Sequence, residues 1–235
     1  RNEEIDVIAM SCSRTTSIEN SFEADNVDKR RVRLLSRAEA FALEDIPPVE
    51  ATIYNLAGLF IGDIPNEFIP YLAQKGLVAL DLQGVLRYSE GEDFGFKDWP
   101  EKEEYLPLIT YLKADSQEAK VCTGTDDREK AARILFDLGA KEVMITHASE
   151  VIVYDGKRIY RAPFDPSNLS GRSGRGDTCF ASYITWRLHH DIEESVRYAA
   201  ALTSIKMEKP GPFSGTIDDV RTRMEKLTST STRSD

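Results

Sequence analysis

The sequence has few cysteines and few histidines, and neither type is spaced as in a metal site. Its 235 residues include three histidines and three cysteines, namely Cys12, Cys122 and Cys179. Zinc sites use close pairs of ligands and a disulfide framework uses an even set of cysteines, so the sequence predicts neither. We expect free thiols in a reducing, cytoplasmic compartment.

Long apolar runs, a surplus of positive charge and a P-loop are also missing. No apolar run approaches the length of a bilayer span, and we expect no membrane partner and no signal segment. The net charge of −10 and the pI near 5.0 argue against nucleic-acid binding, because polyanion binding needs clustered cations. Without a G-x-x-x-x-G-K-[ST] motif, a P-loop enzyme is disfavoured. An anionic ligand must therefore be held by a few local groups.

From residue 51 onward, predicted strands alternate with predicted helices. Apolar runs predict strands, and apolar residues spaced by three and four predict helices. The predicted strands cover 51–60, 77–82, 142–147 and a hairpin around Gly156, and another strand follows a helix within 101–115. The predicted helices cover 66–76, 127–140, 178–188, 192–208 and 217–227. This alternation indicates an α/β fold, in which a mostly parallel sheet is covered on both faces and ligands bind beyond the carboxyl ends of its strands.

The beginning and the end of the chain differ from this core in composition and in the pattern of polar and apolar residues. Residues 4–10, 15–23 and 29–37 are β-rich or alternate in polarity, which predicts a small sheet attached to the larger body. The segment 89–98 is charged and rich in Asp and Gly, so it predicts a loop. The Ser- and Thr-rich end, 229–235, predicts a disordered tail.

The stretch GRSGRGDT, residues 171–178, carries most of the predicted chemistry. A helix N-terminus offers unpaired N–H groups and partial positive charge, and glycines let a phosphate approach the backbone closely. Gly174, Arg175 and Gly176 would supply those N–H groups, and Asp177 is placed to accept a hydroxyl proton as a general base. Three simpler interpretations stay open, namely a flexible surface turn, a helix cap at Asp177 and an adhesive Arg-Gly-Asp tripeptide.

The segment GRGDTCFASY resembles the C-terminal signature of the ribokinase-like (PfkB) carbohydrate kinases, G-A-G-D followed by a helix rich in small residues. The resemblance implies a three-layer αβα domain with a small β lid. It implies an anion hole made by the amides of Gly174, Arg175 and Gly176, with Asp177 as the catalytic base. Arg175 replaces the usual small residue, and its guanidinium, like that of Arg172, would reach nucleotide phosphates.

A second stretch, KADSQEAKVCTG, resembles the N-x-x-E motif of the same family, with Asp115 in place of Asn and Glu118 in the Glu position. The resemblance implies that Asp115 and Glu118 help to place magnesium through water. Magnesium prefers oxygen ligands and keeps several waters, so an aspartate is chemically acceptable there. The same residues are also a capping box at a helix start, and the two roles are compatible.

Two stretches resemble the nucleotide-binding segments of the family. EVMITHASEVIVYDG is similar to a strand and loop near the nucleotide and implies a role for Thr146. RYAAALTSIKMEKPGPF is similar to a helix and loop that bound the adenine, which implies roles for Ala200 and Gly211. Simple helix packing is the alternative for the second stretch.

A further stretch, LDLQGVLRY, resembles the strand-end motif of a carbohydrate-kinase subgroup. Asp81, Gln83 and Arg87 are therefore candidate substrate ligands. The N-terminal portion of the family, with its paired glycines and acidic sugar ligand, has no counterpart, and the chain begins at Arg1 rather than methionine. The sequence therefore leaves open whether residues upstream complete the substrate-binding half of the cleft.

The resemblance implies ATP-dependent phosphorylation of a hydroxyl on a small sugar or polyol, with ATP and Mg²⁺ as cofactors. It divides the chain into lid strands and the entry to the core (1–40), an αβα core (41–228) and a tail (229–235), and it implies a homodimer formed through the lid. The alternatives are a nucleoside or inositol kinase of the same fold and a non-catalytic ligand-binding relative.

Overall fold

The structure, a computed structural model, describes residues 5–23, 26–91 and 93–231. Its strands are β1 (Ser17–Glu23), β2 (Asn26–Ser36), β3 (Ile53–Leu56), β4 (Leu77–Asp81), β5 (Arg87–Glu90), β6 (Asp93–Phe96), β7 (Tyr111–Asp115), β8 (Glu142–Thr146), β9 (Glu150–Tyr154) and β10 (Ile159–Pro163). Its helices are α1 (Phe68–Ala73), α2 (Gln83–Leu86), α3 (Lys102–Tyr105), α4 (Ser116–Thr123), α5 (Arg128–Asp137), α6 (Arg175–Trp186), α7 (Ile192–Met207) and α8 (Ile217–Ser231).

Six of the strands form one central sheet in the order β10-β9-β8-β7-β4-β3. The four strands β3, β4, β7 and β8 are parallel, and β9 and β10 continue the sheet antiparallel. Because parallel neighbours need crossover connections, helices cover both faces of this sheet. The predicted mostly parallel α/β sheet is confirmed.

Strand alternation divides the interior into two cores, one on each face of the sheet. On β7, Leu112 and Ala114 pack into the core shared with α1, α4 and α5. Tyr111 points to the opposite face and packs with Phe180 and Tyr183 of α6. Helix α8 packs on α7 through Val220 and Leu227, outside the second core. The arrangement is the three-layer architecture that was predicted.

Two β-hairpins stand outside the central sheet. Strands β1 and β2 pair antiparallel, and so do β5 and β6, and β2 lies against β6. The predicted strands over 15–23 and 29–37 correspond to β1 and β2. The predicted loop over 89–98 is wrong, because this segment contributes to β5 and β6. Its Phe94 and Phe96 alternate with polar residues, and Gly91 turns the chain at φ 61°.

The predicted strand over 4–10 is wrong for its described part, because residues 5–10 are exposed and form no strand. A β-rich composition yields a strand only where a partner strand supplies the hydrogen bonds. At the other end, α8 continues to Ser231 and so includes the first three residues of the predicted tail. Adding residues to an existing helix is easier than starting one. Residues 232–235 lie outside the described part.

Within the described residues, none of the helices combines the length and apolarity that a bilayer crossing requires.

The central strand β7 carries several site residues, so its packing should determine how firmly they are held. Leu112 is fully buried, whereas Leu77 on the neighbouring strand is 37% exposed. We expect Leu112→Ala to lower the free energy of unfolding by about 2–5 kcal/mol, because the lost methyl groups leave a cavity. Urea unfolding followed by circular dichroism measures this. The control Leu77→Ala should cost much less, and equal losses in both variants would contradict the assignment of the core.

Candidate active site

The carboxyl ends of β4, β7 and β8 bring the predicted residues together at one edge of the sheet. In the strand register, Asp81 lies beside Lys113, and Asp115 lies beside Thr146. Lys113 shares its strand face with Tyr111, and that face is the one covered by α6. The side chains at this edge therefore point toward the N-terminus of α6.

Three buried charged side chains form an ion cluster below this edge. The Nζ of Lys113 lies 3.0 Å and 2.9 Å from the two carboxylate oxygens of Asp81. It lies 3.4 Å from Oε2 of Glu118. The side chains of all three residues are at most 5% exposed. Such a cluster persists only when each charge has a partner, because isolated buried ions are very costly.

The same burial changes the protonation of these groups. Burial raises the pKa of Asp81 and raises that of Glu118 to about 7, and the nearby Lys113 opposes both shifts. For Lys113, burial alone would lower the pKa, but the charges of Asp81 and Glu118 outweigh it and raise the pKa. The ammonium of Lys113 therefore stays charged and neutralises carboxylates that water cannot reach.

Asp115 and Glu118 form the capping box that the sequence predicted at the start of α4. The Glu118 amide donates to Oδ1 of Asp115 at 2.8 Å, and the Asp115 amide donates to Oε2 of Glu118 at 2.7 Å. The remaining oxygen of each carboxylate has no hydrogen-bond partner in the described part of the chain. Magnesium is commonly bound by one or two carboxylates together with substrate phosphates, so this pair fits a magnesium ion. A cluster of three or more potential metal ligands is not found among the described residues.

The N-terminus of α6 has the form of an anion-binding turn. Gly174 is its N-cap and adopts a left-handed conformation with φ 77° and ψ 17°, which favours glycine. Within the described residues, the amides of Gly174 and Gly176 have no acceptor. The third predicted amide, that of Arg175, donates instead to the Arg172 carbonyl at 3.2 Å. Two of the three predicted amides are therefore available to an anion, as is the positive end of the helix dipole.

Asp177 lies in the first turn of α6 and is exposed. A side-chain carbon built on Gly174 would lie 3.8 Å from Oδ2 of Asp177 and 3.9 Å from Nζ of Lys206. The charge of Asp177 also contributes to raising the pKa of the buried Asp81. The carboxylate thus stands beside the turn, on the side that faces the ion cluster and open to solvent. Residues 175–177 form a helical turn rather than a projecting loop tip, which an adhesive tripeptide would need.

Several cations surround this turn although the chain as a whole is acidic. A side-chain carbon on Gly176 would lie 3.3 Å from both Cε and Nζ of Lys113, so the turn rests directly on the buried ammonium. Arg175 lies 6.0 Å from the Phe164 ring. Burial lowers the pKa of Arg175, as does the positive charge of Arg172, and the charge of Asp115 opposes both. Two guanidinium groups thus contribute positive charge near the turn.

The predicted substrate residues form hydrogen bonds with one another, and one of them also contacts aromatic rings. The amide of Gln83 donates to Oδ1 of Asp81 at 3.1 Å, and Arg87 Nη2 donates to Oε1 of Gln83 at 2.6 Å. The Arg87 guanidinium also stacks at 5.4–5.9 Å from the rings of Phe60, Phe94 and Phe96. These contacts link Asp81 of the ion cluster, through Gln83, to Arg87 at the start of the β5–β6 hairpin.

The predicted nucleotide-binding residues are more scattered. Thr146 is buried at the end of β8, 3.5 Å from the Ala114 carbonyl, and so it belongs to the same edge as Asp115. Gly211 is exposed in the loop after α7, with φ 90°. Ala200 is fully buried in the core between α6 and α7, so its methyl group packs against protein. The helix-packing alternative therefore describes Ala200 better.

Sequence reasoning missed two site residues, Lys113 and Lys206. Each is a lysine within an otherwise apolar segment, YLKAD and TSIKM, and each is at most 5% exposed. A charged residue that interrupts a run of buried positions was the available signal.

Comparison with known proteins identifies the family. The profile of the pfkB family carbohydrate kinases matches residues 59–218, which is more than half of the chain. The protein therefore belongs to the pfkB family. The fold and the order of motifs inferred from the sequence agree with this membership.

Three proteins illustrate what the chain is similar to. A pyrophosphate-dependent kinase in the ribokinase family, complexed with a pyrophosphate analog and myo-inositol, is 38% identical, with a TM-score of 0.83 over 92% of this chain and 76% of that chain. The Arabidopsis thaliana ribokinase complexed with ribose and ATP is 20% identical, with a TM-score of 0.68 over 90% of this chain and 69% of that one, and supports the fold alone. The cytidine kinase of Thermococcus kodakarensis is 32% identical over 118 residues, 48% of this chain and 42% of the relative. The match thus spans less than half the length of that curated relative.

The ion cluster predicts a specific stability effect. We expect Lys113→Met to lower the free energy of unfolding by about 3–5 kcal/mol, because it leaves two buried carboxylates without a counter-charge. Lys120 is the matched control, since it pairs with Asp126 at 2.7 Å on the surface of the same region. Lys120→Met should cost less than about 1 kcal/mol in the same urea titration. A Lys113→Met variant as stable as the parent would show that the cluster does not hold the site together.

Proposed function

We propose that the protein transfers a phosphoryl group to a hydroxyl of a small sugar or polyol. The observation that carries this proposal is the turn before α6, where amides without acceptors, two arginines and one exposed carboxylate converge. Positioning and electrostatic stabilisation account for most of the catalysis of phosphoryl transfer, and this turn supplies both.

Each group has a role in the transfer. Asp177 accepts the proton of the acceptor hydroxyl, and the oxygen forms a bond to the terminal phosphorus of the donor. The bond from that phosphorus to the bridging oxygen breaks, and the leaving phosphate takes the electron pair. The amides of Gly174 and Gly176 donate to the oxygens of the migrating group, where negative charge is held during the transfer. Arg172 and Arg175 bind the remaining phosphate of the donor.

Magnesium, if bound as in the family, would be held by Asp115 and Glu118 together with donor phosphates. It would supply positive charge that neutralises the phosphate oxygens. Lys113 orients Glu118 for this role, since it holds one carboxylate oxygen and leaves the other without a hydrogen bond.

The donor is either ATP, as the sequence predicts, or inorganic pyrophosphate. Pyrophosphate is favoured by the pyrophosphate-dependent relative, which is 38% identical, whereas the ribokinase solved with ATP is 20% identical. Two neighbouring arginines at the turn suit a small, highly charged donor. The burial of Ala200, one of the residues expected to bound the adenine, removes one support for a nucleotide donor.

The acceptor class has two further candidates. Myo-inositol is present in the complex of the 38%-identical relative, and cytidine is the substrate named for the 32%-identical one, so inositol and nucleoside kinases of this fold stay in view. A non-catalytic relative is the remaining alternative, and it predicts binding without turnover. The homodimer through the β1–β2 hairpin and the cytoplasmic location stay predictions.

A donor and acceptor panel tests the proposal. The full-length protein is incubated with Mg²⁺, with ATP or pyrophosphate as donor, and with ribose, myo-inositol or cytidine as acceptor. We expect a phosphorylated polyol, detected by ³¹P magnetic resonance and mass spectrometry, with pyrophosphate the better donor. Omitting the acceptor should abolish product formation. If no combination gives a phosphorylated product while a donor binds, the protein is a non-catalytic relative.

Replacing the proposed base gives a sharper test. We expect Asp177→Asn to bind the donor with parental affinity but to lower kcat by about 10²–10⁴-fold, because the amide cannot accept the hydroxyl proton. Asp218 is the matched control, as another exposed aspartate in the first turn of a helix, α8. Asp218→Asn should keep the parental kcat. Parental turnover by Asp177→Asn would show that the assigned mechanism is wrong.

A further inference from the structure

Lys206 is a buried cation that the proposed transfer does not use. It lies in the last turn of α7 and is 5% exposed. Its ammonium donates to the carbonyl of Gly171 at 2.5 Å and to the carbonyl of Ser173. Both acceptors are backbone carbonyls of the loop 170–173, which leads into the anion-binding turn at the start of α6. Among the described residues no carboxylate contacts this ammonium, which instead holds the loop through its two carbonyls.

Independent contacts fix the same loop to the end of α7. The amide of Gly171 donates to the Met207 carbonyl at 2.8 Å, and the Ser170 hydroxyl donates to the Glu208 carbonyl at 2.8 Å. A side-chain carbon on Gly171 would lie 1.7 Å from the Lys209 carbonyl oxygen, so the two backbones touch. The start of the loop is thus fixed without Lys206, and the ammonium acts on the residues that follow.

Peptide geometry connects the ammonium to the anion-binding amides. A trans peptide is planar, so the carbonyl of one residue and the N–H of the next point in opposite directions. Holding the Ser173 carbonyl therefore sets the direction of the Gly174 amide, and holding the Gly171 carbonyl sets that of Arg172. Gly174 has no side chain to restrict its rotation, so hydrogen bonds supply the restriction. The Thr178 amide donates to its carbonyl at 3.0 Å, and Lys206 holds the preceding peptide.

The ammonium also lies beside the proposed base. A side-chain carbon built on Gly174 would lie within 4 Å of both Nζ of Lys206 and Oδ2 of Asp177. Burial lowers the pKa of Lys206, and the negative charge of Asp177 opposes that shift. The end of α7 therefore contributes one positive charge, that of Lys206, beside the proposed site of phosphoryl transfer.

We propose that Lys206 is a positioning residue, which orients the amide of Gly174 and the backbone of Arg172 for binding of the donor phosphates. This inference rests on the proposed phosphoryl transfer, and it assigns to α7 a part in the site that its apolar sequence does not suggest. Lys206 acts through the turn, so its removal should weaken donor binding and turnover together and leave the acceptor unaffected.

The test compares Lys206→Met, which keeps the length of the side chain, with Lys206→Arg and with the control Lys209→Met. Lys209 lies three residues further along and is exposed. Calorimetry on the full-length protein measures the affinity for inorganic pyrophosphate and for ATP, a readout that requires no turnover. Steady-state rates with the best donor and acceptor give kcat and both KM values.

We expect Lys206→Met to weaken binding of the better-bound donor and to lower kcat, each by about 10- to 100-fold, because small misplacements in a site have effects of this size. The acceptor KM and the melting temperature should stay near parental values. Lys206→Arg should recover part of the loss, and Lys209→Met should match the parent. Donor affinity and kcat at the parental level in Lys206→Met would overturn the proposal, as would an equal loss in Lys209→Met.

A folding defect is separated by a second variant. Lys206→Gln keeps two N–H donors for the two carbonyls without the charge. If Lys206→Met does not fold, Lys206→Gln should fold and show intermediate donor affinity. If both variants fail to fold while Lys206→Arg folds, the role is structural and the proposal is wrong. If the parent binds the donor but forms no product, the proposed function fails, and the affinities still decide the role of Lys206.

Discussion

The buried ammonium of Lys113 is the constraint on which the site depends. It joins Asp81 at the end of β4 to Glu118 at the start of α4, and Gly176 of α6 rests on it. One side chain therefore fixes the relative positions of a strand, a helix on one face of the sheet and a helix on the other. Hydrophobic packing holds these elements together, but it is not directional, whereas this cluster sets which polar atoms meet.

Charge balance explains how an acidic chain can offer a site to a polyanion. The net charge is −10, yet the turn before α6 is surrounded by Lys113, Lys206, Arg172 and Arg175. Screening limits the reach of exposed charges to roughly 10 Å, so the composition of the surface matters less than these neighbours. Lys113 is neutralised by two carboxylates, and Lys206 by backbone carbonyls. The arginines lie beside the same turn and add to its positive charge.

Much of the fold was predictable, because apolar runs and helical spacing report burial directly. The core strands, the helices α5 to α7 and the capping box at Asp115 followed from such patterns. The β5–β6 hairpin did not, because charged residues and glycines interrupt its apolar positions and β2, which lies against β6, is distant in sequence. The roles of Lys113 and Lys206 also escaped, since a lysine usually indicates a solvent-exposed position and only tertiary contacts show that these are buried.

The start of α6 shows why the chemistry of the site was easier to predict than its geometry. Apolar spacing alone predicts a helix from residue 178, but the helix begins at Arg175 because Gly174 adopts a left-handed conformation. Those three additional residues place Asp177 in the first turn rather than before it. They also turn the Arg175 amide inward, so that it bonds to the Arg172 carbonyl. The motif thus identifies the residues that meet the phosphate, whereas the contacts from β7 and α7 decide which of their backbone groups are available to it.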